Sequence, residues 1–323
     1  MKKTISIVTP CYNEEESIRI CYDAVRNLFD TELSNYNREH IFCDNASKDM
    51  TTDILRDIAS KDTNVKVILN ARNFGPMRSN FNGVMNASGD AVLLFLPADL
   101  QDPPELIPEF VQLWETGNEV VFGIRTLREE PLLMRLMRKV FYRLVSSLSY
   151  VDFPIDVGDF QLVDRKVVNA MMLYEDSYPF MRMMTFECGF KSIGIPYTWR
   201  SRQDGKSKNR FIHLIDQGLN GLVTFSRVPL RLSLFGGFAL ALACILYAIV
   251  SILITIFSDT ASSQPGIPTL IVALFFFTGI QLFFIGMLGE YILSIHGQVR
   301  KQPMVIERER INFSVSNKNN RPR

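Results

Sequence analysis

The chain has 323 residues, with 35 Lys and Arg against 34 Asp and Glu, so its formal net charge is +1 at pH 7. This balance produces no global field that would attract nucleic acid, and no nucleic-acid partner is expected. Hydrophobic residues make up 47% of the chain, and the mean hydropathy is +0.08. Because charged residues still reach 21%, the apolar residues must be concentrated in part of the chain.

Residues 4–124 alternate between strand-like and helix-like patterns. Apolar runs at 5–9, 41–43, 65–69, 91–96 and 119–124 predict five strands. This order predicts an α/β domain with a parallel sheet, covered by helices on both faces, whose ligands lie beyond the carboxyl ends of the strands. The helices between the first four strands are predicted from apolar residues at helical spacing: Ile18, Tyr22, Val25 and Phe29, then Ile54, Leu55 and Ile58, then Met77, Phe81, Val84 and Met85.

Polar loops follow the first four predicted strands, at residues 10–14, 44–49, 70–75 and 97–102. Any one of these loops alone could be turn and helix-cap chemistry. Four of them at corresponding strand ends predict a site for a polar ligand. The loops contain neither G-x-G-x-x-G nor G-x-x-x-x-G-K-[ST], which disfavours a dinucleotide-binding or P-loop protein.

Two later segments, residues 232–257 and 266–289, contain no Asp, Glu, Lys, Arg or His. Each is long enough to span a bilayer as a helix. The short connector between them predicts a transmembrane hairpin. A hairpin of this size is an anchor or a lipid-docking device and is too small for a conducting pathway.

The basic residues that flank these segments predict their orientation. Arg227 and Arg231 precede the first segment, Arg300 and Lys301 follow the second, and the connector has no Lys or Arg. The positive-inside rule then places both termini in the cytoplasm. The predicted domains are a cytoplasmic domain over 1–226, a membrane region over 227–300 and a cytoplasmic tail over 301–323, disordered beyond Ile311.

Two amphipathic patterns precede the predicted spans. Residues 128–150 combine an apolar helical stripe with Arg135, Arg138 and Arg143 off the stripe. This pattern fits either an interfacial helix or an ordinary packed helix with a solvated face. Residues 211–225 carry a similar stripe, which predicts a helix along the membrane surface.

Six motifs, together with the hairpin, resemble those of the family 2, GT-A-type glycosyltransferases. Within that family the resemblance is to polyprenyl-phosphate glycosyltransferases related to dolichol-phosphate mannose synthase and the bacterial GtrB-like enzymes. It extends over about residues 4–300, and six motifs in order are far more specific than any one alone. The motifs are residues 7–15 (IVTPCYNEE), 44–51 (DNASKDMT), 72–75 (RNFG), 98–107 (ADLQDPPELI), 158–165 (GDFQLVDR) and 202–208 (RQDGKSK).

The resemblance implies roles for the residues after the first two strands. Pro10, Tyr12, Glu14 and Asp44 would bind the nucleotide base and ribose of the donor, together with Asp99. A carboxylate can accept hydrogen bonds from uracil or guanine N–H groups and from ribose hydroxyls.

The loop after the fourth strand departs from the family pattern. The family carries Asp-x-Asp there, and its carboxylates hold a divalent ion that bridges the two phosphates; here Pro97 replaces the first Asp. Three interpretations remain open. Mg²⁺ or Mn²⁺ could bind through Asp99 and Gln101, with Asp102 as a further possible ligand. Cations such as Arg202 and Lys208 could neutralise the diphosphate instead, or the chain could be a catalytically impaired relative.

Asp159 occupies the position of the family's proposed general base. A sugar hydroxyl acceptor would need such a base. A polyprenyl phosphate is different, because a phosphomonoester has its second pKa near ~6 and is largely a dianion at neutral pH. The hypothesis is therefore that Asp159 orients the acceptor or stabilises a cationic sugar. The alternative is a turn residue after Gly158.

A short basic loop precedes the membrane region. The family resemblance implies that Arg202, Lys206, Ser207 and Lys208 close over the donor diphosphate and the lipid phosphate, because cations grip phosphates and Gly205 permits close backbone approach. A solvated run of charges beside anionic lipid head groups is the alternative.

The resulting prediction is an inverting glycosyltransferase, multi-pass in the bacterial plasma membrane. It would move one sugar from a nucleotide-sugar, with UDP favoured over GDP, to polyprenyl (undecaprenyl) phosphate at the cytoplasmic face, for cell-envelope glycan synthesis or modification. The alternatives are a transferase with a different acceptor and, because of Pro97, an impaired nucleotide-sugar-binding scaffold or regulator. The family resemblance also suggests a homo-oligomer such as a tetramer.

Overall fold

A computed structural model describes residues 2–127, 157–174, 176, 179–200, 235–240, 242–243, 246–247, 249–250, 253, 266–300 and 302–313. The chain divides into two compact units. The described residues up to 200 and from 302 onward belong to the first unit, and those between 235 and 300 belong to the second. Both predicted amphipathic segments, 128–150 and 211–225, lie outside the described residues.

An eight-stranded mixed sheet forms the centre of the first unit, in the order β7-β5-β6-β4-β1-β2-β3-β8. The pairs β1–β2, β1–β4 and β2–β3 are parallel, as predicted, and β5–β7 is parallel as well. The strands are β1 (Thr4–Cys11), β2 (Asn37–Asp44), β3 (Val65–Asn70), β4 (Ala91–Leu93), β5 (Val120–Leu127), β6 (Val157–Asp164), β7 (Ser192–Thr198) and β8 (Glu307–Ile311).

The five predicted strands run in one direction, but two strands that the sequence analysis did not predict run the opposite way. β6 lies between β4 and β5 and runs antiparallel to both, and β8 runs antiparallel to β3. Strand direction depends on pairing between distant residues, which the apolar pattern of a single strand does not carry. The amino end of β6 nevertheless lies at the same edge of the sheet as the carboxyl end of β4, because the two strands are antiparallel neighbours.

Helices cover both faces of the sheet, as predicted. On one face, α1 (Ile18–Thr31), α2 (Thr51–Lys61) and α4 (Ile107–Glu115) bury their apolar stripes against the strands. The opposite face is covered by α3 (Pro76–Asn86), α5 (Arg165–Met171) and α6 (Met181–Glu187). Burial of these stripes supplies most of the hydrophobic stabilisation, at about 25 cal/mol per Å² of apolar surface.

The chain returns to the sheet after the second unit, a feature that the sequence analysis did not predict. β8 pairs with the edge strand β3, and Arg56 on α2 donates to Glu309 at 2.7 Å. On the other face, the Asn82 side chain donates to Glu307, also at 2.7 Å. Asn312, placed in the expected disordered tail, donates to the carbonyl of Ala59 at 2.7 Å. These contacts make β8 part of the domain that carries the site.

In the second unit, α7 (Gly266–Val299) begins at the first residue of the second predicted span. Residues 273–299 of this helix are long and apolar enough to cross a membrane, and α7 is the one helix of the described residues that meets this description. Most of its described large apolar side chains are exposed; Phe275, for example, is 72% exposed. The described residues between 235 and 253, inside the first predicted span, are helical, and the two-span hairpin stays a prediction.

Candidate active site

The loops that follow β1 and β2 are joined by hydrogen bonds at the carboxyl edge of the sheet. The backbone N–H of Asn13 donates to Ser47 Oγ at 2.9 Å, and the backbone N–H of Lys48 donates to Asn13 Oδ1 at 2.8 Å. Because β1 and β2 are adjacent, these bonds fix the two loops as one surface. This surface brings together four of the predicted donor-binding residues: Pro10, Tyr12, Glu14 and Asp44.

Asp44 is fully buried at the end of β2. Its Oδ2 accepts a hydrogen bond from the backbone N–H of Ser47 at 3.1 Å, whereas its Oδ1 is buried without a hydrogen-bond partner in the described part of the chain. Burial raises the pKa of this carboxyl above its usual value, against the opposing effect of the Ser47 hydrogen bonds. An unpaired buried carboxylate oxygen is costly, and a ligand N–H or hydroxyl would remove that cost.

A group of asparagines extends this surface to the loop after β3. Asn45 Oδ1 accepts from the backbone N–H of Phe74 at 2.9 Å and from Asn70 Nδ2 at 3.2 Å. Asn45 Nδ2 donates to Asn73 Oδ1 at 3.0 Å. Asn45 and Asn70 are buried, so the three loops are held together from within. Sequence reasoning noted these loops but gave the asparagines no role.

The predicted metal ligands lie on the loop after β4. The backbone N–H of Gln101 donates to Asp99 Oδ1 at 3.3 Å, which keeps the two side chains on one turn. The backbone N–H of Arg200 donates to the Gln101 carbonyl at 3.1 Å. Arg200, the last described residue before the predicted basic loop, is therefore attached to the Asp99–Gln101 turn.

Asp102 cannot serve as the further metal ligand that the sequence suggested. It is fully buried, and Arg125 Nη2 donates to its Oδ1 at 3.1 Å and to its Oδ2 at 2.9 Å. The Tyr197 hydroxyl donates to its Oδ1 as well. No group of three or more His, Cys, Asp or Glu side chains that could hold a metal occurs in the described residues. Asp99 and Gln101 remain, and one carboxylate with one amide oxygen fits Mg²⁺, which keeps several waters or phosphate oxygens.

Asp159 lies at the same edge, on β6. Arg182 Nη2 on α6 donates to its Oδ2 at 2.7 Å, and Arg182 Nε donates to its Oδ1 at 3.3 Å. Burial acts to raise the pKa of this carboxyl, but the charges of Arg182 and Arg125 outweigh it and hold the pKa below its usual value. A carboxylate with a lowered pKa is a weak proton acceptor. The geometry therefore favours a positioning or charge-stabilising role over deprotonation.

The remaining predicted site residues, Arg202, Lys206, Ser207 and Lys208, lie outside the described residues. Sequence reasoning missed Arg125 and Arg182. Arg125 directly follows the end of the fifth predicted strand at residue 124, so the rule that ligands lie beyond strand ends could have found it. Arg182 had no local signal, because it meets Asp159 from a helix 23 residues further along the chain.

The mixed α/β sheet and the polar surface at its carboxyl edge are those of a GT-A glycosyltransferase. Residues 6–171 match the family described as Glycosyl transferase family 2, and the chain belongs to this family.

The match to curated relatives extends over nearly the whole chain. An uncharacterized glycosyltransferase, YkcC, of Bacillus subtilis is 36% identical over 97% of this chain and 95% of its own length. A prophage bactoprenol glucosyl transferase homolog of Escherichia coli is 35% identical over 94% and 97%. The bactoprenol glucosyl transferase of Shigella phage SfX is 34% identical over 95% and 99%.

The solved structures that match this chain are more distant in sequence. The mannosyltransferase PcManGT of Pyrobaculum calidifontis, in complex with GDP-Man and Mn²⁺, is 16% identical over 94% of this chain and 89% of its own, with a TM-score of 0.47. Glucosyl-3-phosphoglycerate synthase of Mycobacterium tuberculosis, in complex with Mn²⁺, UDP-glucose and phosphoglyceric acid, is 20% identical over 69% and 78%, with a TM-score of 0.45.

Proposed function

We propose that this glycosyltransferase moves a single sugar from a nucleotide-sugar to polyprenyl phosphate, with inversion, at the cytoplasmic face of the membrane. The extent of the match to bactoprenol glucosyl transferases carries this proposal. It covers 94–95% of the chain, far beyond the family domain that ends at residue 171. The match therefore extends through the apolar second unit, which suits an acceptor held in a membrane and which a soluble acceptor would not need.

The chemistry follows from the acceptor. An oxygen of the lipid phosphate attacks the anomeric carbon while the bond from that carbon to the diphosphate oxygen breaks, and the nucleoside diphosphate leaves with the bonding electrons. The acceptor is largely a dianion at neutral pH, so little proton removal is needed. Asp159, held ionised by Arg182, orients the acceptor or stabilises positive charge on the sugar. Asp44 receives the hydrogen bonds of the donor's base or ribose.

A divalent ion belongs to this proposal. Asp99 and Gln101 are the residues that would hold Mg²⁺ or Mn²⁺, and Pro97 offers no side-chain ligand atom at the first position of the motif. The bound ion would neutralise charge on the leaving diphosphate. Full activity in EDTA would instead favour neutralisation by Arg202 and Lys208.

The placement of β8 supports a membrane region that crosses an even number of times. β3 and β8 belong to one sheet, although the second unit lies between them in the chain. If the apolar region between them spans the membrane, this pairing supports having both of its ends on one side, which two spans satisfy and one span does not. A thiol reagent that cannot cross the membrane should label Ser262→Cys, in the connector, from outside intact cells. It should not label Asp53→Cys, which is exposed on α2.

The test of the function is release of nucleoside diphosphate by the full chain in detergent. UDP-glucose is the first donor to use, followed by other UDP- and GDP-sugars, each with and without undecaprenyl phosphate and in Mg²⁺, Mn²⁺ or EDTA. Release that depends on the lipid, with one donor, is the expected result. Donor binding without release from any donor would refute the transferase and favour the nucleotide-sugar-binding scaffold.

A further inference from the structure

Two ion pairs lie side by side at the carboxyl edge of the sheet. One joins Asp159 to Arg182 at 2.7 Å, and the other joins Asp102 to Arg125 at 2.9 Å. The second pair has a third member, because Tyr197 donates to Asp102 and accepts from Arg125 Nε at 3.0 Å. We call Asp102, Arg125 and Tyr197 the carboxyl-edge cluster.

Two glycines in the strands leave room for the side chains of this cluster. A Cβ atom on Gly158 would lie 3.1 Å from Arg125 Nε, and one on Gly123 would lie 2.5 Å from Cε1 of the Tyr197 ring. Two glycines thus provide the space that the guanidinium and the ring occupy. Because Gly158 immediately precedes Asp159, the Arg125 guanidinium lies directly against the backbone that carries the Asp159 side chain.

We propose that Asp102 and Tyr197 are positioning residues of the transfer reaction, acting through Arg125 to fix Asp159. The inference rests on the proposed function, which places Asp159 at the reacting sugar. Two carboxylates and two guanidinium groups balance in charge, so each arginine keeps its own partner. Without Asp102, Arg125 would compete with Arg182 for Asp159 and draw its carboxylate out of place.

The molecule contains a matched control at the opposite edge of the sheet. Tyr22 donates to Asp62 Oδ2 at 3.0 Å, and Arg38 Nη2 donates to the same oxygen. We call Tyr22, Arg38 and Asp62 the amino-edge cluster. It has the same three residue types and similar burial, but Arg38 lies at the start of β2, away from the predicted site.

The test compares Tyr197→Phe with Tyr22→Phe in the detergent-solubilised full chain, because each substitution removes one hydroxyl and leaves the ring. Tyr197→Phe should lower kcat about tenfold, while KM for the donor and for undecaprenyl phosphate stays within about twofold. Tyr22→Phe should leave kcat and both KM values within about twofold of the wild type. Its change in thermal midpoint should be comparable to that of Tyr197→Phe. Asp102→Asn should lower kcat further, by about a hundredfold.

Three outcomes would overturn the inference: wild-type kcat in Tyr197→Phe, a loss confined to KM, or an equal loss of kcat in Tyr22→Phe. The last two would mark the cluster as structural. These results differ from a failure of the proposed function, in which the wild-type chain itself shows no lipid-dependent release. That failure would remove the positioning role as well. Tyr197→Phe keeps the test valid if Asp102→Asn does not fold.

Discussion

The amino-edge and carboxyl-edge clusters contain the same three residue types, Asp, Arg and Tyr. In each, a carboxylate accepts from a tyrosine hydroxyl and from an arginine on a strand; Asp102 is fully buried, whereas the Asp62 side chain is 12% exposed. At the amino edge, Asp62 also accepts from the backbone N–H of Asn64 at 3.0 Å and so fixes the turn between α2 and β3. At the carboxyl edge, the arginine lies beside a second carboxylate, Asp159.

This difference distinguishes an ion pair that only holds the fold together from an ion pair that lies in the candidate active site. Asp62 and Arg38 bind their immediate neighbours and hold two elements together. Arg125 lies between its own partner and the backbone of Asp159, at the edge where four polar loops converge. Residue types alone do not distinguish the two clusters; their position in the sheet does.

The largest effect should come from the carboxyl edge. Asp159→Asn keeps the side-chain shape but removes the charge held by Arg182, and should lower kcat by about a thousandfold. The measurement is release of nucleoside diphosphate with undecaprenyl phosphate. If positioning is the role, raising the pH should not restore activity, because the acceptor is already ionised. Recovery at high pH would indicate that Asp159 acts as a base.

At the amino edge, Asp62→Asn should change stability and leave the chemistry intact. The substitution leaves the Arg38 guanidinium buried without its charge partner, which costs about 3 kcal/mol. The thermal midpoint of the full chain in detergent should fall by about 6–12 °C, while kcat measured well below that temperature stays within about twofold of the wild type. A selective loss of kcat would break the contrast between the two edges.

Asp44→Asn should weaken donor binding about tenfold, because an amide N–H₂ group cannot accept the ligand's hydrogen bond in place of Oδ1, which has no partner among the described residues. Titration with the nucleoside diphosphate of the active donor measures this effect. Asp53→Asn, an exposed change on α2, is the matched control and should bind as the wild type does. Burial raises the pKa of Asp44, so its neutral replacement should not lower the thermal midpoint of the ligand-free protein. A lower midpoint would assign Asp44 a structural role.

The smallest effect concerns His40, near the amino-edge cluster. It is fully buried, its Nε2 lies 2.9 Å from Thr9 Oγ1, and burial with the nearby Arg38 charge holds its pKa well below the usual value. The neutral imidazole makes its full contribution to the free energy of unfolding above the unfolded-state pKa of about 6.5. This contribution is lost as the pH falls toward the folded-state pKa, at up to about 1.4 kcal/mol per pH unit. Between pH 7.5 and 5.5, His40→Gln should lose less thermal stability than the wild type. Equal losses would contradict this linkage.

The elements of the first half of the domain could be predicted from the sequence because their signals are local. The buried stripe of α1 and the nearly continuous apolar runs of β1 and β3 each lie within one short segment. Their common direction follows from the alternation of strands and helices. The family resemblance added the site residues of the strand-end loops, and Asp44 and Asp159 lie at one edge as that resemblance implies.

What could not be predicted depends on contacts between distant residues. The direction of β6 is set by pairing with β4, about 70 residues earlier in the sequence, and β8 pairs with a strand more than 200 residues away. Asp102 illustrates the consequence within the site. From sequence it is one more oxygen beside Asp99, yet Arg125 and Tyr197 occupy both of its oxygens, and neither partner is close to it in the chain.

The edge position of β8 also bears on the order in which the protein is made. A ribosome completes β1 to β7 and the whole apolar region before it reaches residues 307–311. Until then the outer edge of β3 has unpaired backbone groups, which is the kind of edge that promotes aggregation. The catalytic domain therefore acquires β8 only after the apolar second unit has been synthesised, and a nascent chain stalled before residue 307 would carry an open sheet.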